Sequence, residues 1–420
     1  MDMQFGGSQT LLWLSLAFSL AAPGAFGADQ DPGPSGGGDP ASSRIVSVPL
    51  IVDHGRLLVD GEIRLPDGSW RSLRLWIDSG TGDFIVSDDL ASALGSSLSR
   101  RGGGPFLALR VGGVDLDLSG VRSASANSPS WLFRATGADA NLPATILMKY
   151  RATFDFPDRT LSLEPGGNPV PQHAPLPFRV NPHSGIGAVG VRLGGTDLEL
   201  AIDLGASYSF IDADAVRVVM EGHPEWPRMT GSAGDANMWG WFFPREEAWC
   251  VVRPDEFQIE DGGSGGTIVE GAAFVALPRE SMGGLGSWYS QKTALPVAGF
   301  LGPNAFSAFR LVIDWPEERI FLERTGEFAK HDLDTVGIAL RPELDGGYSV
   351  VAVARRGGQP LVEGLVAGDR LVAVDGSPLA GLTMGGAAAL FAGKPGTRHS
   401  ILAERGGERF VVIAEARRLP

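Results

Sequence analysis

Cysteine is the scarcest resource in this 420-residue chain. Cys250 stands alone, which excludes an internal disulfide and any zinc site built on paired cysteines. The histidines (His54, His173, His183, His223, His331, His399) fall in no HExxH pattern and no paired ligand spacing, so neither a metal nor a cofactor is expected. Positive charge is also short. With 35 Lys and Arg against 49 Asp and Glu the net charge is −14, which argues against nucleic acid and anionic membrane as partners. That deficit lies upstream, because residues 332–420 carry ten charges of each sign. No Lys or Arg precedes Arg44, and the one sustained apolar run, residues 11–22, is short for a bilayer span. Pro23-Gly24 and then Ala25-Phe26-Gly27 follow it, a breaker and a small-x-small cleavage site. Residues 1–27 therefore read as an export signal, although Asp2 stands where positive charge is usual, and residues 28–43 read as a flexible linker. No cysteine follows the run to carry a lipid anchor, and no later segment is apolar enough to cross a membrane. The mature chain is expected to be periplasmic or secreted, with no membrane span.

Against those absences stand 59 glycines without a Gly-X-Y period, 29 prolines and 43% hydrophobic residues. This is a globular composition, read as many short strands joined by turns. The chain also repeats itself. Leu73-Arg74-Leu75-Trp76-Ile77-Asp78-Ser79-Gly80-Thr81 lies over Leu198-Glu199-Leu200-Ala201-Ile202-Asp203-Leu204-Gly205-Ala206, and Ser87 and Asp212 follow at the same spacing as candidate helix caps. A helix is expected after each, stopped by Gly95 and by Gly222. Each copy closes on a strand, an Asp-aromatic-Pro turn and a second strand, with the turns at Asp155-Phe156-Pro157 and Asp314-Trp315-Pro316. Two copies of one β-rich module thus occupy residues 44–166 and 175–325, the second carrying an insertion.

An Asp at the end of an apolar strand, followed by x-Gly, suits paired-carboxylate chemistry. The glycine lets backbone approach closely, and the small residues after it can donate to the carboxylate. Two such acids facing one another cannot both ionise, so one keeps a proton while the other acts as base on a shared water.

These residues resemble the aspartic-protease family, whose signature is Asp-Thr/Ser-Gly followed by Ala, Ser or Thr. Asp78-Ser79-Gly80-Thr81 matches throughout, and Asp203-Leu204-Gly205-Ala206-Ser207 matches except at Leu204. The closing hairpins resemble the ends of bacterial retropepsin-like domains, where an apolar-apolar-Gly element precedes the hairpin. Phe300-Leu301-Gly302 fits that element, and in the first copy Ile146-Leu147-Met148 takes the place without its glycine. The resemblance implies catalytic Asp78 and Asp203, supported by Ser79, Gly80, Thr81, Gly205, Ala206 and Ser207. It also implies that the residue after each Asp hydrogen-bonds across the lobe interface, which Ser79 can do and the side chain of Leu204 cannot.

Other patterns carry less. Gly185-Ile186-Gly187-Ala188-Val189-Gly190 fits G-x-G-x-x-G but leads into strand-like alternation, so it reads as hairpin backbone. Gly262-Gly263-Ser264-Gly265-Gly266 fits G-x-S-x-G with no strand expected before it and no helix after it, and reads as a turn. Trp239, Trp241, Phe242, Phe243 and Trp249 form an aromatic run in the insertion, read as core packing or as a wall over a substrate.

The last ninety residues read as a small α+β module with strands and one helix over about 383–391. Val336-Gly337-Ile338-Ala339-Leu340 and the run Gly364-Leu365-Val366-Ala367-Gly368-Asp369-Arg370-Leu371 resemble the PDZ family in its bacterial form on exported proteases. By that resemblance Gly337, Ile338, Ala339 and Leu340 would receive a peptide C-terminus at a strand edge beside the helix. The expected fold is mainly β: two pseudo-symmetric aspartic-protease-like β-barrel lobes plus a small α+β PDZ domain over 332–420. The expected function is an exported aspartic endopeptidase acting on peptide or unfolded protein, with protein C-termini bound at the PDZ groove. The alternative is an inactive aspartic-protease-like scaffold that works as a PDZ peptide-binding protein.

Overall fold

A computed structural model describes residues 46–95, 108–119, 121, 130–165, 174–231, 249–263, 265–277 and 289–420. The expected signal and linker, and the aromatic run apart from Trp249, lie outside the described residues. The chain is mainly β, with 47% strand against 12% helix and a curled half-barrel sheet.

In the first repeat, Arg56–Arg64 and Trp70–Asp78 pair antiparallel, and Trp70–Asp78 then pairs parallel with Ala140–Pro143. The turn between the first two follows from its chemistry. Asp67 accepts from the N–H and hydroxyl of Ser69, and Gly68 takes a φ of 86° that a side chain would resist. In the second repeat, Gly187–Leu193 and Thr196–Ile202 pair antiparallel, and Thr196–Ile202 pairs parallel with Gly299–Leu301. Gly187 thus begins a strand, as the hairpin reading expected. A strand, Glu256–Glu260, does lead into the Gly262–Gly266 region, against expectation. It pairs antiparallel with Gly266–Glu270, so this glycine-rich stretch closes a hairpin.

Helix Asp88–Leu94 starts where Ser87 accepts the N–H of Leu90 and ends at Gly95, whose φ is 64°. Its counterpart Ala213–Gly222 is capped by Asp212 through the N–H of Asp214. Gly222 does not stop that helix, because it is its last residue. The chain leaves the helix at His223, which stacks on Trp226 at 4.4 Å.

The two closing hairpins, Tyr150–Asp155 with Thr160–Pro165 and Phe309–Asp314 with Arg319–Arg324, meet in one six-stranded sheet. Tyr150–Asp155 pairs antiparallel with Phe309–Asp314, which puts Arg151 opposite Asp314 and Asp155 opposite Arg310. Both couples are ion pairs, at 2.6 and 2.7 Å, and the first is buried on both sides. Leu311, Ile313, Ala152 and Phe154 fill the apolar side of this junction.

After residue 332 the strands Ile338–Pro342, Tyr348–Val353, Arg370–Val374, Arg398–Arg405 and Glu408–Glu415 form a further sheet, with Ile338–Pro342 at its edge and helix Met384–Ala389 capped by Thr383. The module is not set apart. Thr230 pairs with Arg355, and Arg253 bonds both Asp332, at 2.6 Å, and the carbonyl of Pro420. Asp53 bonds Thr383 and the N–H of Gly385.

Candidate active site

Asp78 is the last residue of its strand, and Asp203 comes directly after Ile202. Each strand is flanked by a parallel neighbour: Asp78 lies opposite Pro143, and the Asp203 N–H donates to Leu301 O at 2.9 Å. Both acids therefore leave a strand end that is fixed on its sheet. Each then enters a tight turn, Thr81 N to Asp78 O at 3.5 Å and Ala206 N to Asp203 O at 3.3 Å.

These registers correct one expectation. Leu301 faces Ile202 as Leu142 faces Ile77, so the counterpart of Phe300-Leu301-Gly302 is Asn141-Leu142-Pro143 and not Ile146-Leu147-Met148. Ile146 and Leu147 belong to the short helix Ala144–Leu147 that follows, as Pro303–Phe306 follows Gly302. A hydrophobic pattern alone does not distinguish the strand from the turn of helix after it.

The two turns are pinned together. Ser79 Oγ donates to Ile202 O and accepts from Leu204 N, both at 2.9 Å, and Trp76 Nε1 donates to Gly205 O at 3.0 Å. Leu204 returns only its backbone N–H to Ser79. Its side chain is 0% exposed within the apolar core. The glycines explain the closeness. A Cβ on Gly80 would lie 2.4 Å from the Asp203 carboxylate, and one on Gly205 would lie 2.8 Å from Asp78 Oδ1. Each acid thus rests on the other turn's glycine.

Asp203 is 3% exposed. Its Oδ1 accepts from Gly205 N at 2.9 Å and Ala206 N at 3.2 Å, and its Oδ2 accepts from the Tyr289 hydroxyl at 2.5 Å. Asp78 Oδ2 accepts a longer bond from Asn141 Nδ2, at 3.4 Å. Burial pushes Asp78 up to about 8, the charge of Asp203 adds to this, and the bonds from Asn141 and Gly80 oppose it. Burial raises Asp203 too, but Tyr289, Gly205 and Ala206 hold it back. With the better donors on Asp203, that carboxyl ionises first and Asp78 keeps the pair's proton.

Thr81 and Ser207 serve the site less directly. Thr81 Oγ1 accepts from Asp83 N at 3.4 Å, and its carbonyl anchors the N–H of Ala144. Ser207 is buried with no hydrogen-bond partner for Oγ among the described residues, and a Cβ on Gly55 would lie 2.6 Å from its carbonyl. Ile338, Ala339 and Leu340 begin the edge strand of the separate sheet that follows residue 332, and Gly337 directly precedes it at a φ of 81°. Ile338 and Leu340 are buried there with Val350, Leu371 and Ala135. Sequence reasoning missed Asn141 and Tyr289. Only the parallel register beside Trp76 identifies Asn141, and Tyr289 carries no local signal. Among the described residues no group of three His, Cys, Asp or Glu side chains could hold a metal, and no helix is long and apolar enough to cross a membrane.

No protein-family model matches the chain, and no curated protein does. Among solved structures, basic 7S globulin from soybean is similar at a TM-score of 0.39 and 10% identity, over 70% of this chain and 98% of that one.

Proposed function

We propose that this protein is an exported aspartic endopeptidase, with two fused retropepsin-like lobes and a PDZ-like module from residue 332. The observation that carries the reading is the pinned pair. Asp78 and Asp203 leave equivalent strand ends, each rests on the other's glycine, and Ser79 ties the two turns together. The reciprocal pairs Arg151–Asp314 and Arg310–Asp155 support a pseudo-two-fold relation between the lobes.

A water bound between the carboxyls loses a proton to ionised Asp203 as its oxygen bonds to the carbon of a peptide carbonyl. Asp78 gives its proton to the carbonyl oxygen, which forms a gem-diol. The C–N bond then breaks, the leaving nitrogen takes the proton held on Asp203, and one diol hydroxyl returns a proton to Asp78. The chemistry is general acid–base catalysis at a site whose donors are set in advance. The substrate class is an extended peptide or an unfolded protein.

Hydrolysis of an internally quenched, unstructured peptide tests this. Wild type should cleave it and be blocked by a statine-type inhibitor, while Asp78→Asn and Asp203→Asn should each lose about three orders of magnitude or more. Equal cleavage by wild type and both variants would remove the pair from the chemistry. The second reading, an inactive scaffold that binds peptides through its C-terminal module, is favoured by one observation: a tyrosine already occupies Asp203 Oδ2. Absence of inhibitor binding to wild type would select it.

A further inference from the structure

Tyr289 lies 86 residues beyond Asp203 in the chain, yet its hydroxyl reaches Asp203 Oδ2 at 2.5 Å. The ring is 3% exposed and stacks on Phe300 with centroids 5.3 Å apart, and Phe300 packs on Phe210 at 5.1 Å. Phe210 and Phe300 are themselves register partners beside the Asp203 turn. The phenol is therefore held by the same sheet that presents the carboxylate. Downstream the segment is tied again, since Ser184 Oγ donates to Lys292 O, and Thr293 Oγ1 bonds Tyr289 O and Leu295 O at 2.9 and 2.7 Å. The hydroxyl also sits at the floor of the site, because a Cβ on Gly80 would lie 2.6 Å from it. Ala206, the residue aligned with Thr81 in the repeat, has no hydroxyl to offer Asp203. The side-chain donor instead comes from a distant segment.

We propose that Tyr289 is a positioning residue for the acid pair, whose hydroxyl fixes the negative charge on Asp203 and so leaves the proton on Asp78. The inference rests on the protease reading for its catalytic consequence, but its electrostatic content concerns the resting protein. A phenol can do this only while it keeps its own proton. Burial and the neighbouring charge of Asp203 hold Tyr289 well above the ordinary tyrosine range, so the donor persists across the working pH range. Donation to a carboxylate favours its charged form, and removing the donor makes that carboxyl a weaker acid. The other ionisable groups at the site are Asp78, Asp83, whose charge acts on Asp78, and Lys292, 3.9 Å from Asp83. His54 and Arg56 flank Gly55, whose backbone packs on Ser207. Of these groups, Asp78 and Tyr289 face Asp203 directly.

The test is Tyr289→Phe, which keeps the stacked ring and removes one oxygen. Full-length protein labelled with 13C at the aspartate carboxyls is titrated by NMR, with Asp78→Asn and Asp203→Asn assigning the two resonances. In Tyr289→Phe the lower midpoint of the pair should rise by about one pH unit, and the acid limb of kcat/KM should move up by the same amount. A tenfold loss of kcat/KM on that limb, with KM nearly unchanged, is the kinetic form of the same shift. An unmoved midpoint in a variant that melts like wild type would overturn the proposal, whatever the activity. A gain of activity with an unmoved midpoint would overturn it too, and would make Tyr289 a plug. If the midpoint rises while wild type cleaves nothing at any pH, the positioning role stands and the protease reading falls.

Discussion

Leu204 occupies the place where a hydroxyl would complete the link between the two turns, and the structure shows what it does there. Ser79 already uses both backbone groups within reach, and the leucine side chain is buried in the apolar core. A threonine there would exchange apolar contact for a hydroxyl with no assured partner. Leu204→Thr should therefore destabilise the protein, with a loss of about 1–3 kcal/mol by urea denaturation. A stabilised variant would mean that the hydroxyl finds a partner across the turns. Asp78 gives a second prediction, in pH. Its folded value of about 8 lies above the ordinary 3.8, so between these values the folded state holds a proton that the unfolded chain has released. Stability from this group falls as pH rises through that window and levels off above about 8. Asp78→Asn has no such slope, so its melting temperature relative to wild type should climb from pH 4 to pH 8. A constant difference would show that Asp78 is an ordinary carboxyl.

The elements most legible in the sequence were those written in local chemistry. Asp-aromatic-Pro turns specified both closing hairpins, and Ser87 and Asp212 located both helix starts. What local chemistry does not encode is the pairing of those hairpins with each other, which depends on contacts between residues more than 150 positions apart. The misplacement of the first repeat's apolar element has the same origin, because only the parallel register with Ile77 identifies Leu142. The hairpin junction also supports a thermodynamic prediction. Arg151 and Asp314 are 4% and 0% exposed at the side chain, so removing one strands the other without solvent. Arg151→Met should cost about 3–5 kcal/mol, and the double variant Arg151→Met/Asp314→Leu should recover most of it. Additive losses in the chemical-denaturation cycle would show the two charges to be independent.

For the whole molecule the informative segment is the turn at Asp53, His54 and Gly55, which touches two distant parts of the chain. On one side Gly55 packs on Ser207, just after the Asp203 turn. On the other, Asp53 accepts from Thr383 and from Gly385 N, so it reinforces the start of helix Met384–Ala389 from outside the module. No sequence rule anticipates a helix cap supplied from 330 residues away. These bonds tie the start of that helix to the turn of the first repeat. Asp53→Ala removes both bonds and should cost about 1–2 kcal/mol. The loss should appear as faster amide exchange at residues 384–389 and at 228–230, where the module joins the sheet of the second repeat. Arg56, one residue past the turn, separates a packing effect from a charge effect. Its guanidinium is buried with no hydrogen-bond partner among the described residues, and burial pushes it down to about 10, against the opposing pull of Asp53 and Tyr348. Asp53→Ala removes the nearby negative charge as well as the cap, so Arg56→Met placed in that background should restore part of the lost stability. If Arg56→Met gives nothing back there while exchange at 384–389 stays fast, the whole loss belongs to the helix cap, and the module is held by those two hydrogen bonds rather than by charge.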